Sequence, residues 1–127
     1  MDTIRVKEVV LMPRKRHYRE KDRDDQHQSA RTGELMSEKV FTNTYGMGID
    51  GLHQGAYDYI KRVYEQEEYD HILLHPAGMM MAMTAFLAAW QEWQSVSGMM
   101  DKGLSIAHHN RRDGTWTEQV WWGRGVL

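Results

Sequence analysis

The spacing of apolar positions changes along the chain, and each spacing predicts a different element. In IRVKEVVLM, residues 4–12, β-branched residues dominate and Pro13 closes the run, which predicts a strand. Val6, Val10 and Met12 share one parity, and Arg5, Lys7, Val9 and Leu11 the other. One face is therefore the more apolar, and the far end is expected to be buried on both sides. Residues 14–34 carry almost no apolar side chains, and their charge runs from basic to acidic, which predicts a long charged loop. KVFTNTY, residues 39–45, is a candidate short strand before the glycine-rich GMGIDG. In residues 52–67, Leu52, Ala56, Tyr59, Ile60 and Val63 recur at intervals of three and four, the mark of an amphipathic helix, with Asp50 as its candidate cap.

The second half of the chain is more apolar. YDHILLHP, residues 69–76, predicts an interior strand ending in proline. A helix is expected over residues 77–94, where Met79, Met83, Phe86, Trp90 and Trp93 form one stripe with Met80 and Leu87 beside it. Gly98 is its expected stop. LSIAHHN and TWTEQVWW flank RRDG, a hairpin signal. A two-residue turn at Asp113 and Gly114 would set His109 opposite Glu118, His108 opposite Gln119 and Arg111 opposite Trp116. Helices alternating with strands imply parallel pairing among the early strands. The expected architecture is α/β: a single small Rossmann-like three-layer domain over residues 1–127, its sheet mostly parallel with a C-terminal antiparallel hairpin.

Bulk properties narrow the function classes. A chain of 127 residues is the size of one domain, and 41% apolar with 27% charged residues is ordinary for a soluble globular protein. A net charge of −2 excludes the global basic field of a general nucleic-acid binder, though not a local patch. The absence of cysteine removes disulfides, thiolate metal sites and cysteine nucleophiles, and suits a reducing cytoplasm. MDTIRVKEVV does not read as a signal peptide, and the longest apolar run, residues 76–90, is too short to span a bilayer. The expectation is a soluble cytoplasmic chain.

Candidate chemistry concentrates at the junction His75, Pro76, Ala77 and Gly78. In open α/β sheets ligands gather beyond the carboxyl ends of strands, where helix N-termini present unpaired amides. Gly78 would let an anion approach the backbone, and His75 would supply a donor or a proton. Residue by residue, packing explains the junction as well as a ligand does, since proline at a first helical position costs no hydrogen bond. Taken together, the four residues point to a site.

ILLHPAGMMMAMTAFLAAW resembles the second conserved strand-to-helix segment of CRISPR-associated Rossmann-fold domains. The resemblance rests on the hydrophobic strand, Gly78, Met79 to Met81 and the apolar helix, about a fifth of the chain. The threonine-glycine pair and following lysine of that family are replaced by His75, Pro76 and Ala77. The resemblance implies a domain that binds cyclic oligoadenylates, which some members cleave. It puts Arg14, Lys15 and Arg16, after the first strand, where the family's other ligand loop would lie.

His71 and His75 fall on one face of their strand, while His108 and His109 point to opposite faces of another. No HExxH, HxH or helical HxxxH pattern supports a metal site, and none is expected; no cofactor is expected either. His109 beside Glu118 would suit acid/base chemistry or an ordinary cross-strand pair. The chain has no GxSxG, Walker or GxGxxG motif. Arg14, Lys15, Arg16, Arg19, Arg111 and Arg112 are candidate phosphate contacts, with Tyr18 or Trp116 to stack on bases, although Glu20, Asp22, Asp24 and Asp25 share the loop. Trp121 and Trp122 would point to opposite faces, offering a subunit or partner contact unless the C-terminal tail covers both.

Two functional expectations follow. The first is a homo-oligomeric domain binding a nucleotide-like or phosphorylated ligand, as a cyclic-oligonucleotide sensor or a metal-independent ring nuclease. Its catalytic residues would be His75 and His109, and its ligand contacts Pro76, Ala77, Gly78, Arg14, Lys15 and Arg16. The second is a phage or mobile-element interaction protein, an inhibitor or structural subunit, acting by contact through Trp121 and Trp122.

Overall fold

The computed structural model describes residues 3–12, 27–44, 46–77 and 80–127. Its main sheet has the order β1-β4-β5-β6, with β1 at Val6–Val10, β4 at His71–His75, β5 at Gly103–Asn110 and β6 at Thr115–Trp122. β1, β4 and β5 are parallel, and β6 closes the sheet antiparallel to β5. Two short strands, β2 at His27–Gln28 and β3 at Leu35–Met36, form a separate antiparallel ladder. Helix α1, Ile49–Lys61, continues as a π-helical turn, Arg62–Gln66, and α2 covers Met80–Ser97.

The topology follows from the order of the elements. The chain steps from β1 through α1 to β4, then through α2 to β5, always in the same direction across the sheet. Right-handed crossovers of that kind put both helices on one face. α1 and α2 indeed pack together, and their buried side chains meet Val9, Leu11, Ile72, Leu74 and Leu104 in one core. The opposite face carries Glu8, His71, His75, Ser105 and Glu118, and is covered partly by the β2–β3 segment and the C-terminal tail. All five residues of β4 are buried, which is why its sequence lacks polar alternation.

The core is pinned by polar groups on aromatic rings. Tyr64 stacks on Trp93 with ring centroids 4.6 Å apart, donates its hydroxyl to the Gly103 carbonyl, and accepts the Trp90 indole N–H at 3.0 Å. Burial pushes the Tyr64 phenol up, so it stays a neutral donor. One hydroxyl thus ties the end of α1 to α2 and to the start of β5.

Local expectations are corrected in several places. Asp50 lies inside the first turn of α1, where its charge meets the helix dipole, and Gly48 takes the cap position without a side-chain bond. Of the candidate strand at 39–45, residue 45 lies outside the described residues, and residues 39–44 contribute one bridge, Lys39 to Val10, rather than a strand; their weight in the fold is the buried Phe41 ring. Gly98 stops α2 with a positive φ of 70°, as its position suggested. Within the charged segment, residues 27–36 are ordered around β2 and β3, and residues 13–26 lie outside the described residues.

The hairpin is where expected, but its turn is wider. Asn110 pairs with Thr115, so the loop is Arg111 to Gly114, four residues. Asn110 Oδ1 accepts the Arg112 amide, and Asp113 Oδ1 accepts both the amide and the hydroxyl of Thr115. These local side-chain bonds stabilise the longer loop over the two-residue turn. His109 therefore faces Trp116 and not Glu118, while His108 faces Thr117 and reaches Gln119 diagonally at 2.9 Å.

Candidate functional site

β1, β4 and β5 run parallel, so their carboxyl ends share one edge of the sheet. β4 ends at His75 and β5 continues to Asn110, which carries the hairpin tip beyond that end. Glu8, His75, His109 and Trp116 approach one another there from four strands.

Glu8 and His75 form the inner pair. Glu8 Oε2 accepts from His75 Nε2 at 2.7 Å and from the Ala30 amide at 2.6 Å, and Oε1 accepts the Ser29 hydroxyl at 2.5 Å. Burial alone would raise the Glu8 pKa, but hydrogen bonds from His75, Ser29 and Ala30 together hold it below the ordinary carboxylate value. An ionised carboxylate only accepts, so His75 carries a proton on Nε2 and that nitrogen is committed to Glu8.

Trp116 lies against both predicted histidines. His75, only 3% exposed, meets the indole edge-on at 5.0 Å between centroids, and the exposed His109 lies tilted over it at 4.5 Å. The two histidines named from the sequence are thus brought to a single half-buried tryptophan, one enclosed and one open to solvent. Pro76 is exposed and Ala77 buried, with the Ala77 amide donating to the His75 carbonyl at 2.9 Å. Gly78, Arg14, Lys15 and Arg16 lie outside the described residues.

A second polar chain crosses the same face nearer the amino ends of the parallel strands. His71 Nε2 lies 2.7 Å from Ser105 Oγ, and Ser105 in turn bonds Glu118. Glu118 receives the Val126 and Leu127 amides at 2.8 to 2.9 Å, which straps the C-terminal tail across the sheet. Burial would raise Glu118, yet the bonds from Ser105, Leu127 and Val126 keep it below the usual range. Burial lowers His71 to about 4, against the weaker pull of Glu118, so the ring is neutral at pH 7. The ionised Glu118 takes the Ser105 proton, which leaves Ser105 Oγ to accept from His71 Nε2–H. Ser29 likewise donates to a carboxylate and not to an imidazole. Neither serine is arranged as a nucleophile in a triad, which needs the hydroxyl proton directed to the base.

Glu8, Ser29 and Ser105 were missed by sequence reasoning. For Glu8 a signal existed: it shares the parity of Val6 and Val10, a charged residue on an apolar face. Ser29 had none, since only the tertiary fold lays residues 27–36 over β1. Among the described residues, no three His, Asp or Glu side chains converge as metal ligands, and no helix is long and apolar enough to cross a membrane.

Trp121 and Trp122 are 41% and 38% exposed, because the tail passes to Glu118 instead of covering them. Trp122 also leans on Trp90 at 6.5 Å and donates its indole N–H to the Met100 carbonyl at 3.0 Å. No protein-family model, curated protein or solved structure matches the chain.

Proposed function

We propose that this domain binds a nucleotide-like or phosphorylated ligand at the carboxyl edge of its sheet, with Trp116 and His109 as the stacking surface. The observation that carries this reading is the convergence of His75, Trp116 and His109 from three strands at that edge. A half-buried indole braced from behind by a histidine fixed on Glu8 is a rigid surface for a planar base. Arg111 and Arg112 in the adjoining turn supply cations for phosphate, and Arg14, Lys15 and Arg16 follow β1 directly in sequence. The resemblance of residues 72–90 to cyclic-oligoadenylate-binding domains selects the ligand to try first.

Cleavage of such a ligand would use the exposed His109 as base. It would take the proton of a ribose 2′-hydroxyl that attacks the adjacent phosphorus; the bond from phosphorus to the 5′-oxygen breaks, that oxygen leaves with a proton from solvent water, a 2′,3′-cyclic phosphate forms, and the protonated His109 returns its proton to solvent. This route needs no metal ion.

Titration calorimetry against cyclic oligoadenylates and mononucleotides tests the reading. Binding is expected, weakened roughly tenfold or more in Trp116→Ala, since stacking on an aromatic contributes about 1–3 kcal/mol per base. No binding to any of these ligands overturns it. A second reading, a protein that acts by surface contact, as an inhibitor or structural subunit, draws support from the exposure of Trp121 and Trp122. Under that reading Trp121→Ala abolishes function and Trp116→Ala does not.

A further inference from the structure

The outer edge of β6 raises a question independent of the ligand reading. It is an eight-residue edge strand, and among the described residues nothing pairs with its outer side. Natural sheets blunt such edges with lysine, proline, bulges or short length. TWTEQVWW has neither lysine nor proline, and its bulge sits at one end, beside Leu104 and Ser105. Its one charged residue, Glu118, spends both oxygens on the tail amides. Val120 is exposed on the helix-free face, Trp122 on the helix face and Trp121 at the bulge between them, with Met100 exposed next to the Trp122 indole.

We infer that β6 is the self-association edge of this chain, pairing antiparallel with β6 of a second copy to make one continuous sheet. A second copy is favoured over an unlike partner by the charge pattern of the strand. In one sheet, antiparallel strands of two copies are related by a two-fold axis perpendicular to it, which preserves faces. Directly opposed residues must then have the same parity, and one residue near the centre faces its own copy. Centring on Glu118 would oppose two carboxylates. Centring on Thr117 leaves Val120 and Trp121 at the margin. Centring on Gln119 pairs two neutral amides, sets Glu118 against Val120, and draws Trp121 into the contact. The same operation sends the two cationic turns, with Arg111 and Arg112, to opposite ends of the joint. The strand therefore opposes no like charges when it meets itself. Both helical layers fall on one side of the joined sheet, and Trp116 lies three residues from the join's centre, opposite Trp122 of the second copy.

The experiment is sedimentation or light scattering of the full chain over a wide concentration range, beside Val120→Lys and a control, Met80→Lys, at an exposed residue of α2 outside β6. Wild type and control are expected to reach twice the mass of the chain. Val120→Lys, with unchanged circular dichroism, is expected to dissociate at least tenfold more readily. A wild type that stays monomeric throughout, whether or not some other protein binds it, overturns the inference, as does a folded Val120→Lys that dimerises normally. Should Val120→Lys fail to fold, hydrogen exchange of the wild type at high and low concentration decides. Protection gained by β6 amides supports the edge pairing, and its absence from β6 overturns it.

Discussion

At the scale of single residues, the helix-free face of the sheet is governed by carboxylates that never face water alone. Glu8 satisfies three donors at once, His75, Ser29 and the Ala30 amide. Glu8→Ala leaves these donors without an acceptor in a nearly closed position, and removing one member of a buried pair costs about 3 kcal/mol or more. Urea denaturation should show that loss, with Glu8→Gln intermediate because the amide keeps one accepting oxygen. His71 gives a pH signature. Its folded value, about 4, lies below the ordinary 6.5, so the unfolded chain takes up a proton where the folded chain does not. The stability it supports is complete above 6.5 and falls as pH drops toward 4. The depressed carboxylates Glu8 and Glu118 act lower, below their ordinary 4.5. Denaturation between pH 7 and pH 4.5 should therefore show a fall on the order of 2 kcal/mol that His71→Gln lacks, the figure being reduced for solvent screening.

At the scale of elements, what decides is how closely backbones approach. Gly103 starts β5 under the His71 ring, where an added Cβ would overlap the imidazole and lie 3.2 Å from the Trp122 carbonyl. Gly123 leaves β6 beside it, with a φ of 89°. Gly103→Ala is expected to cost about 3 kcal/mol, the upper range for overpacking. Loss of the His71–Ser105 contact should follow, read as a raised His71 pKa in an NMR titration. Both helices and the hairpin were legible, since the stripe of Phe86, Trp90 and Trp93 and the RRDG signal each reflect local periodicity or turn chemistry. The hairpin register was not. Asn110 and Asp113 both bond local amides, and the competition between two turn lengths leaves no trace in periodicity.

At the scale of the whole molecule, Tyr64 measures how far the layers are interlocked. Its hydroxyl joins the π-helical turn, α2 and β5. Tyr64→Phe keeps the ring stacked on Trp93 but strands the Gly103 carbonyl and the Trp90 N–H. A loss of about 2 kcal/mol in thermal or urea unfolding is expected, within the cost of buried unsatisfied groups. The fold class was readable from the order of elements, because crossover handedness leaves few ways to arrange two helices between parallel strands. Which surface lies over the second face was not readable.

Periodicity, turn residues and chain order act over short separations, and they sufficed for the two helices, the four strands of the main sheet and the class of fold, though not for β2 and β3. The sequence also singled out His75 and His109 as the histidines to watch. That one of them is locked onto Glu8 while the other lies open on Trp116 emerges only once the chain is folded. The difference depends on β1, β4, β5 and β6 meeting at one edge and on residues 27–36 closing over β1, contacts between parts of the chain too distant to leave a local pattern.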